Sequence, residues 1–465
     1  MWRTFARTIR DALRGYRLRR RPAVGIATDP NVRRAYLARM GTSVGARAAR
    51  TKLRTIGRSE EKKKEIRNEA AMRSASDVLA VMGNMKGAVM KLAQMASFAI
   101  DGLPEGVEQQ LAQLQTAAPP MAYELVAEVV EGELGAPPLK AFASFDREPM
   151  AAASIGQVHR ALTHRGLDVA VKVQYPGVDK AIIADLQNAD MLFQTVAAMY
   201  GGFDPRALLE EVLARMTDEF DYTKEAANQR YFAECYRGHA FVKIPEVIDE
   251  STAKRVLTTE LVRGRGFYDV LGDAQDAKNR YGEIISRFSQ ASINAGTFSG
   301  DPHPGNYIFM DDGRICFLDF GLVKHLTADE AELLRAPGRS MLEGDAAGIE
   351  ATMRRLGVIE DGTEVDRDQL SAFFSVMLGP VREDRPVKYT RKLVGDAFRD
   401  IALPDSPYRD IQEKLHFPAM LAIWQRYTFG TAAVLGHLEA EANWHRITRE
   451  FLFGDPPSTD IGRGW

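Results

Sequence analysis

Apolar residues recur every three or four positions between residues 77 and 98. The members of this stripe are Val78, Met82, Met85, Val89, Leu92, Met95 and Phe98. A period near 3.6 places them on one face of an α-helix, so the pattern predicts a long amphipathic helix that also carries Lys91 and Gln94. Methionine-rich faces usually fill a core. We therefore expect this helix to pack onto the rest of the molecule.

Three shorter segments are predicted to be strands. Val169-Ala-Val-Lys172-Val is a β-branched, alternating run, which is typical of a strand. The other two are Lys254-Arg-Val-Leu-Thr-Thr-Glu260 and Arg314-Ile-Cys-Phe-Leu318. From Tyr268 onward the pattern is mainly helical, and the residues after Lys324 carry no motif that indicates a function.

Residues 1–58 form a strongly basic segment, with sixteen Arg or Lys residues against Asp11 and Asp29 in a chain whose net charge is −2. Its aromatic and aliphatic residues at helical spacing are Trp2, Phe5, Ile9, Leu13 and Tyr16. Such a helix can lie in an anionic lipid interface. A disordered basic tail, a nucleic-acid contact and an organelle presequence are the alternatives. No serine precedes Ser43, which argues against a presequence. The rest of the chain has no recognisable nucleic-acid-binding module, so no nucleic-acid partner is expected.

The composition of the whole chain is that of an ordinary globular protein, with 45% hydrophobic and 27% charged residues. Cys235 and Cys316 lie far apart, which argues against a disulfide framework or a zinc site and favours a reducing compartment. The most apolar stretch, residues 415–435, is interrupted by Pro418, Gln425 and Arg426, so no membrane span is expected. These features predict a cytoplasmic protein that binds peripherally at the inner face of a membrane.

Two neighbouring motifs suggest the chemistry. Ser299-Gly-Asp301-Pro-His-Pro-Gly-Asn306 is followed by Phe317-Leu-Asp319-Phe-Gly321. In kinase-type sites a loop Asp orients the attacking group, an Asn five residues later holds Mg²⁺, and the Asp of a later Asp-Phe-Gly holds the metal on the phosphates. Asp301, Asn306 and Asp319 match these roles in order, so ATP and Mg²⁺ are the predicted cofactors. Either motif alone can be an ordinary turn, but their order and the strand between them favour a site.

Residues upstream supply candidates for the nucleotide-binding half of such a site. Lys172 lies within a predicted strand and suits the α- and β-phosphates of a nucleotide. The turn before it, where glycines usually let backbone N–H groups approach phosphate, is alanine-rich: Ala151, Ala152, Ala153 and Ser154. We therefore expect nucleotide handling that is altered but not lost.

Two further segments supply candidate carboxylates and a candidate hinge. Asp218, Asp221 and Glu225 follow helical i, i+3 and i+7 spacing, which predicts three carboxylates on one helix face. Such a face is most often solvated surface, but Glu225 is the first candidate to pair with Lys172 over the phosphates. Backbone groups from Glu260 to Val262 are predicted to contact adenine at the hinge.

The motifs together resemble the UbiB/AarF-domain (ADCK) atypical protein-kinase-like family over roughly residues 80–330. Lys91-Leu-Ala93-Gln94 is similar to its Lys-x-Gly-Gln signature, the segment from Ala151 to His159 to its alanine-rich nucleotide loop, and Glu219-Phe-Asp221 to its Glu-x-Asp element. Two residues depart from the pattern. Ala93 replaces the signature glycine, and Ser299 stands where the family commonly has His.

The resemblance implies an α+β, bilobal protein-kinase-like fold with an N-terminal helical extension over the active site. The predicted domains are a basic extension at 1–75, a helical extension at 76–139, an N-lobe at 140–262 and a mainly helical C-lobe at 263–465. Regulatory roles are implied for Lys91, Gln94, Glu219 and Asp221, where Lys91 meets the two acids and the extension blocks protein substrates.

The implied activity is ATP hydrolysis or phosphoryl transfer that supports isoprenoid-quinone metabolism, such as ubiquinone biosynthesis, or other lipid metabolism. The implied partners are anionic or isoprenoid lipids and lipid-biosynthesis proteins. The alternative is a nucleotide-binding pseudokinase that organises such proteins. An aminoglycoside-type or choline-type phosphotransferase has a similar Asp-to-Asn spacing, but the Lys91–Gln94 signature and the alanine-rich turn argue against it.

Overall fold

The computed structural model describes residues 121–153, 155–180, 220–299, 302–402 and 406–465, with a few more between 50 and 62. The described residues from 121 onward fall into two compact units, one holding residues 121–180 and the other residues 220–465. The helix predicted over residues 77–98 lies outside the described residues. So do the candidate residues Lys91, Gln94, Ser154, Glu219 and Asp301.

The first unit is a small antiparallel sheet covered by one helix. Its elements are α1 Tyr123–Leu134, α2 Pro138–Ala141, β1 Ser144–Phe145, β2 Ala151–Ala152, β3 Gly156–Leu162 and β4 Asp168–Gln174. Strand β3 pairs with β1 and β2 along one edge and with β4 along the other. The alternation seen in the sequence explains β4, because Val169, Val171 and Val173 are fully buried on one face. Helix α1 packs against this strand.

The second unit contains most of the helices. They are α3 Tyr222–Cys235, α4 Gln275–Asn294, α5 Ala328–Glu343, α6 Ala346–Arg355, α7 Arg367–Leu378, α8 Arg391–Ala402, α9 Arg409–Gln412, α10 Ala419–Leu438 and α11 Trp444–Phe453. None of the helices in the described part of the chain combines the length and the apolar character needed to cross a bilayer.

The strands of the second unit are short. They are β5 Val242–Lys243, β6 Val256–Glu260, β7 Arg265–Gly266, β8 Thr297–Ser299, β9 Tyr307–Phe309, β10 Ile315–Phe317, β11 Val323–His325, β12 Val387–Lys388 and β13 Glu441–Ala442. One sheet has the order β5-β10-β9-β7, in which β10 is parallel to β5 and antiparallel to β9. β8–β11 and β12–β13 are separate antiparallel pairs.

The larger core of this unit is rich in aromatic residues and joins α3, α4, α10 and the β9–β10 pair. Phe288 of α4 stacks on Phe317 of β10 with ring centroids 3.8 Å apart. Phe320 is fully buried beside Phe232 of α3, with centroids 4.9 Å apart. A second apolar cluster lies among α5, α6 and α7. The core therefore packs directly beneath the segment that carries Asp319.

The three predicted strands are present, with shifts of one or two residues at their boundaries. The strand predicted from Lys254 begins at Val256, because Lys254 and Arg255 form a tight turn closed between Ala253 and Val256. The helix predicted through Asp221 needs a larger correction. Helix α3 begins at Tyr222, and Asp221 is its N-cap, with φ −124° and its carboxylate accepting the Thr223 N–H at 3.0 Å. Asp221 and Glu225 therefore do not share a helix face.

Candidate functional site

The loop that carries Asn306 is a short 3₁₀ turn, Pro304–Asn306, held by the residue before it. His303 Nδ1 accepts the Gly305 N–H at 2.9 Å, and the His303 carbonyl accepts the Asn306 N–H at the same distance. A Cβ on Gly305 would lie 3.0 Å from His303 Nδ1, so a larger residue would press on this ring. The backbone carbonyl of Asn306 then accepts the Leu318 N–H at 3.0 Å. This bond ties the loop to the strand end that leads into Asp319.

Asp319 sits in a turn closed by its own side chain. Its Oδ1 accepts the Gly321 N–H at 2.9 Å, which fixes one carboxylate oxygen relative to the backbone. The buried Phe320 ring anchors the same turn in the core. The carboxylate therefore projects from a constrained position.

Glu225 reaches the same turn from helix α3. A Cβ built on Gly321 would lie 3.3 Å from Asp319 Oδ1 and 3.6 Å from Glu225 Oε2, so both carboxylates converge on this glycine. Glu225 is 6% exposed. This burial argues against a solvated helix face and indicates a carboxylate with a specific role in the fold or the site.

Asn306 and Asp319 line one small pocket. Its other walls include Pro302 from the loop, Phe317 from β10 and Tyr427 from α10. Burial raises the pKa of Tyr427, so this phenol stays neutral at ordinary pH. Amide and carboxylate oxygens are hard ligands of the kind that Mg²⁺ prefers, so the donor set fits the predicted metal.

In the first unit the alanine-rich segment and the strand lysine occupy one sheet face. Ala151 and Lys172 both stand opposite Val158, one on each side of β3. Directly opposed residues in antiparallel strands point to the same face. Ala151 and Ala152 form strand β2 rather than part of a turn, Ala153 follows them, and Lys172 is half-buried. The sheet thus presents one ammonium group next to a backbone with small side chains.

Two polar side chains of the alanine-rich motif serve the structure beneath that face. Gln157 Oε1 accepts the Met121 N–H at 2.8 Å, and Gln157 Nε2 lies 2.9 Å from His159 Nε2. His159 Nδ1 lies 2.8 Å from the Asp146 carbonyl. Burial lowers the pKa of His159, although the Asp146 carbonyl opposes this shift. A neutral imidazole that donates from Nδ1 and accepts at Nε2 satisfies both contacts.

The predicted hinge follows strand β6 in the second unit. The Glu260 carboxylate pairs with Lys243 at 2.6 Å, and the Glu260 N–H is donated to the Glu246 carbonyl at 2.8 Å. An adenine contact at Glu260 would therefore have to use its carbonyl oxygen. Val262 follows the strand and is half-buried. The adenine contacts remain predictions.

A family model for the ABC1 atypical kinase-like domain matches residues 113–353. The chain belongs to this family. The matched region covers every predicted catalytic, metal-binding and hinge residue. The family match and the structural match below confirm the predicted α+β kinase-like class.

Named relatives of this ABC1-family protein support the same family assignment. It is 33% identical over 302 residues to ACTIVITY OF BC1 COMPLEX KINASE 8, a chloroplastic protein of Arabidopsis thaliana, covering 61% of this chain and 39% of that protein. It is 29% identical over 318 residues to mouse AarF domain-containing protein kinase 1, covering 67% of this chain and 61% of that protein. The chain thus spans less than two thirds of the length of these curated relatives. The UbiB/AarF resemblance is confirmed.

A solved structure is also similar. The erythromycin complex of Rv3197 from Mycobacterium tuberculosis superimposes with a TM-score of 0.61 at 29% identity. The match covers 85% of this chain and 100% of that one.

Sequence reasoning missed the part that α10 plays at the site of this ABC1-family protein. A Cβ on Gly430 would lie 2.5 Å from Pro302 Cγ, so this helix abuts the loop directly after Asp301. Tyr427 and Thr431, on the same side of α10, line the pocket with Asn306 and Asp319. A glycine inside a helical pattern often marks a close approach, and that signal was available in the sequence.

Proposed function

We propose that this ABC1-family protein binds Mg²⁺–ATP and either hydrolyses it or transfers its terminal phosphoryl group. The observation that carries the proposal is the convergence of Asn306, Asp319 and Glu225 around the turn from Asp319 to Gly321. Asn306 and Asp319 border the same pocket, and Glu225 approaches Gly321, two residues after Asp319. Such a convergence of an amide and two carboxylates from distant parts of the sequence supports a metal–nucleotide site.

The chain's own residues divide the work as follows. Asn306 and Asp319 hold the metal ion, which supplies charge neutralisation on the phosphates when bound. Lys172 and Glu225 position the phosphates, and the backbone at Ala151–Ala152 approaches them because its side chains are small. Asp301, which lies outside the described residues, orients water or an acceptor hydroxyl. Catalysis then consists mainly of positioning and electrostatic stabilisation.

The acceptor class and the cellular setting rest on the family resemblance. We propose that the activity supports isoprenoid-quinone or other lipid metabolism at a membrane surface, with anionic or isoprenoid lipids and lipid-biosynthesis proteins as partners. The basic segment at residues 1–58 supports the membrane part of this proposal, since it pairs aromatic residues with arginines at helical spacing. The regulatory roles of Lys91, Gln94, Glu219 and Asp221 belong to the same proposal.

The test of the chemistry is the variant Asp319→Asn. It keeps the size of the side chain and its hydrogen bond to Gly321 N–H but removes the negative charge that a divalent ion needs. We expect Mg²⁺-dependent ATP turnover to fall on the order of 100-fold or more, with the melting temperature unchanged within about 2 °C. Phosphate release from purified protein, with and without anionic liposomes and quinone-precursor phenols, gives the measurement.

The control is Asp361→Asn, an equivalent change at an exposed turn, which should leave turnover unchanged. Turnover that is equal in the wild type and in Asp319→Asn would remove Asp319 from the site. Tight Mg²⁺–ATP binding without any turnover in the wild type would instead favour the nucleotide-binding pseudokinase.

A further inference from the structure

Asn228 connects helix α3 to the turn that carries Asp319. It lies three residues after Glu225 and so falls on nearly the same face of α3. Its Nδ2 donates to the carbonyl oxygen of Phe320 at 3.0 Å. Its Oδ1 lies 3.2 Å from His325 Nε2 on strand β11. One side chain thus bridges the helix, the metal-binding turn and the strand after it.

The contacts assign one proton of this network. Because Asn228 Nδ2 faces a carbonyl, its Oδ1 faces His325 and requires a proton on His325 Nε2. His325 Nδ1 lies 3.3 Å from the hydroxyl of Thr297, which stands opposite His325 in the β8–β11 pair. This hydroxyl can either donate to Nδ1 or accept from it, so the contact is satisfied in both cases. The network ends on the strand that leads into the Asp301 loop.

The bond to Phe320 matters because of peptide planarity. The carbonyl of Phe320 and the N–H of Gly321 belong to one trans peptide unit and point in opposite directions. Holding the carbonyl on Asn228 therefore fixes the direction of the Gly321 N–H. That N–H is the donor to Asp319 Oδ1 at 2.9 Å. The orientation of the Asp319 carboxylate thus depends on Asn228 through a single rigid group.

Helix α3 contacts Phe320 at a second point. The ring of Phe320 packs on Phe232, one helical turn beyond Asn228. The ring is anchored by the core, whereas the peptide that follows is anchored by Asn228. Loss of the core contact would unseat the whole residue, but loss of the amide would free only the peptide.

We infer that Asn228 is a positioning residue that orients the Asp319 carboxylate for the metal ion by fixing the Phe320–Gly321 peptide. The inference rests on the proposed role of Asp319. It also gives helix α3 a second function beside Glu225, because movement of the helix would disturb the phosphate-positioning carboxylate and the metal ligand together.

The first experiment measures the turn without any ligand. In Asn228→Ala, amide hydrogen exchange in peptides that cover residues 317–325 should become faster than in the wild type. The matched control is Asn443→Ala, which removes a side chain that caps helix α11 by accepting the Arg446 N–H at 3.1 Å. The control should leave exchange in residues 317–325 unchanged. Unchanged exchange in Asn228→Ala would overturn the inference, whatever the protein's activity.

The second experiment measures metal dependence. Thermal stabilisation by a non-hydrolysable ATP analogue is followed as Mg²⁺ is titrated. Asn228→Ala should need a 10- to 100-fold higher Mg²⁺ concentration, the usual cost of losing a residue that orients a metal ligand. Asn228→Asp should be at least as impaired, although it keeps an acceptor for His325, because its carboxylate faces the Phe320 carbonyl. Asn443→Ala should titrate like the wild type.

The two possible failures are distinguishable. If the wild type shows no Mg²⁺-dependent stabilisation by the analogue, the proposed function fails and this inference fails with it. If the wild type responds and Asn228→Ala responds at the same Mg²⁺ concentration, the inference alone is overturned. A shift in Asn228→Asp smaller than that in Asn228→Ala would also contradict it, because the donated hydrogen bond would then not be the cause.

Discussion

Arg287 of helix α4 is a charged side chain with no solvent exposure, and it organises the polar part of the second unit's interior. It donates to Glu283 at 2.7 Å and to Glu450 of α11 at 2.6 Å. A third donation, to the Thr459 hydroxyl at 3.1 Å, brings in the segment after α11. A Cβ on Gly462 would lie 2.6 Å from Arg287 Nη2, so only glycine fits over the guanidinium without displacement.

Replacing Arg287 with methionine should therefore be severely destabilising. The change keeps much of the apolar stem but strands two buried carboxylates, and breaking a buried pair in this way costs about 3–5 kcal/mol. The free energy of unfolding of each variant, obtained by denaturant titration, gives the measurement. The control is Arg463→Met, whose exposed pair with Asp460 should contribute about 0–1 kcal/mol. Equal effects of the two variants would show that the Arg287 network contributes no special stability.

Lowering the pH should reduce the difference in stability between the wild type and Arg287→Met. Burial alone would raise the pKa of Glu450, but hydrogen bonds from Arg287 and Ser458 outweigh it and lower the pKa below its usual value. In the wild type this contribution is present above the unfolded pKa and is lost as pH falls through the folded pKa. In the variant, burial should raise the pKa of Glu450, so the folded variant should become more stable as the pH falls and this carboxylate is protonated. Melting temperatures from pH 7 to 4 should converge, and a constant difference would contradict the assignment to Glu450.

Among the secondary-structure elements, helix α10 shows how the C-terminal half contributes to the site. It is a 20-residue helix, Ala419–Leu438, with Gly430 in its interior. Glycine there costs about 1 kcal/mol relative to alanine on helix propensity alone. The close approach of Pro302 explains why a side chain is absent, and it places α10 behind the loop that carries Asp301.

Gly430→Ala separates these two effects. Propensity predicts a stabilised helix, whereas contact with Pro302 predicts overpacking that costs about 1–3 kcal/mol and displaces the loop. We expect a lower melting temperature and, if the proposed chemistry holds, lower ATP turnover. Gly272→Ala is the control, because a Cβ at Gly272 would meet nothing within 4 Å. A higher melting temperature in Gly430→Ala would show that the loop yields freely.

The elements that could be predicted are those whose pattern is local. Strand β4 follows from alternation, since one of its faces is buried. Strand β10 is buried at all three residues and follows instead from its short apolar run. The start of α3 could not be placed by carboxylate spacing, because Asp221 satisfies the helix terminus from outside the helix. The α10 contact depends on packing between residues more than a hundred positions apart. Periodicity does not encode such a contact.

For the molecule as a whole, motif order was sufficient to indicate the family and the kinase-like fold. Asn306 and Asp319 could be named because their chemistry and spacing are unusual. Asn228 could not, because its role depends on a carbonyl 92 positions away. An asparagine in a helix has no sequence signature for that function. The positions of Asp301, Lys91, Gln94 and Glu219 stay predictions of the sequence.

The last prediction concerns the distribution of charge along the chain. Sixteen basic residues against two acidic ones leave +14 on residues 1–58, and since the whole chain carries −2, the remainder carries −16. An anionic membrane should therefore attract one end and repel the rest, at about 1 kcal/mol for each basic residue near the surface. Full-length protein should float with anionic vesicles, and less so as salt increases. Phe5→Glu should weaken flotation, whereas the apolar control Phe5→Leu should not. Vesicle binding that responds to neither salt nor Phe5→Glu would leave residues 1–58 as a tail without a lipid-binding role.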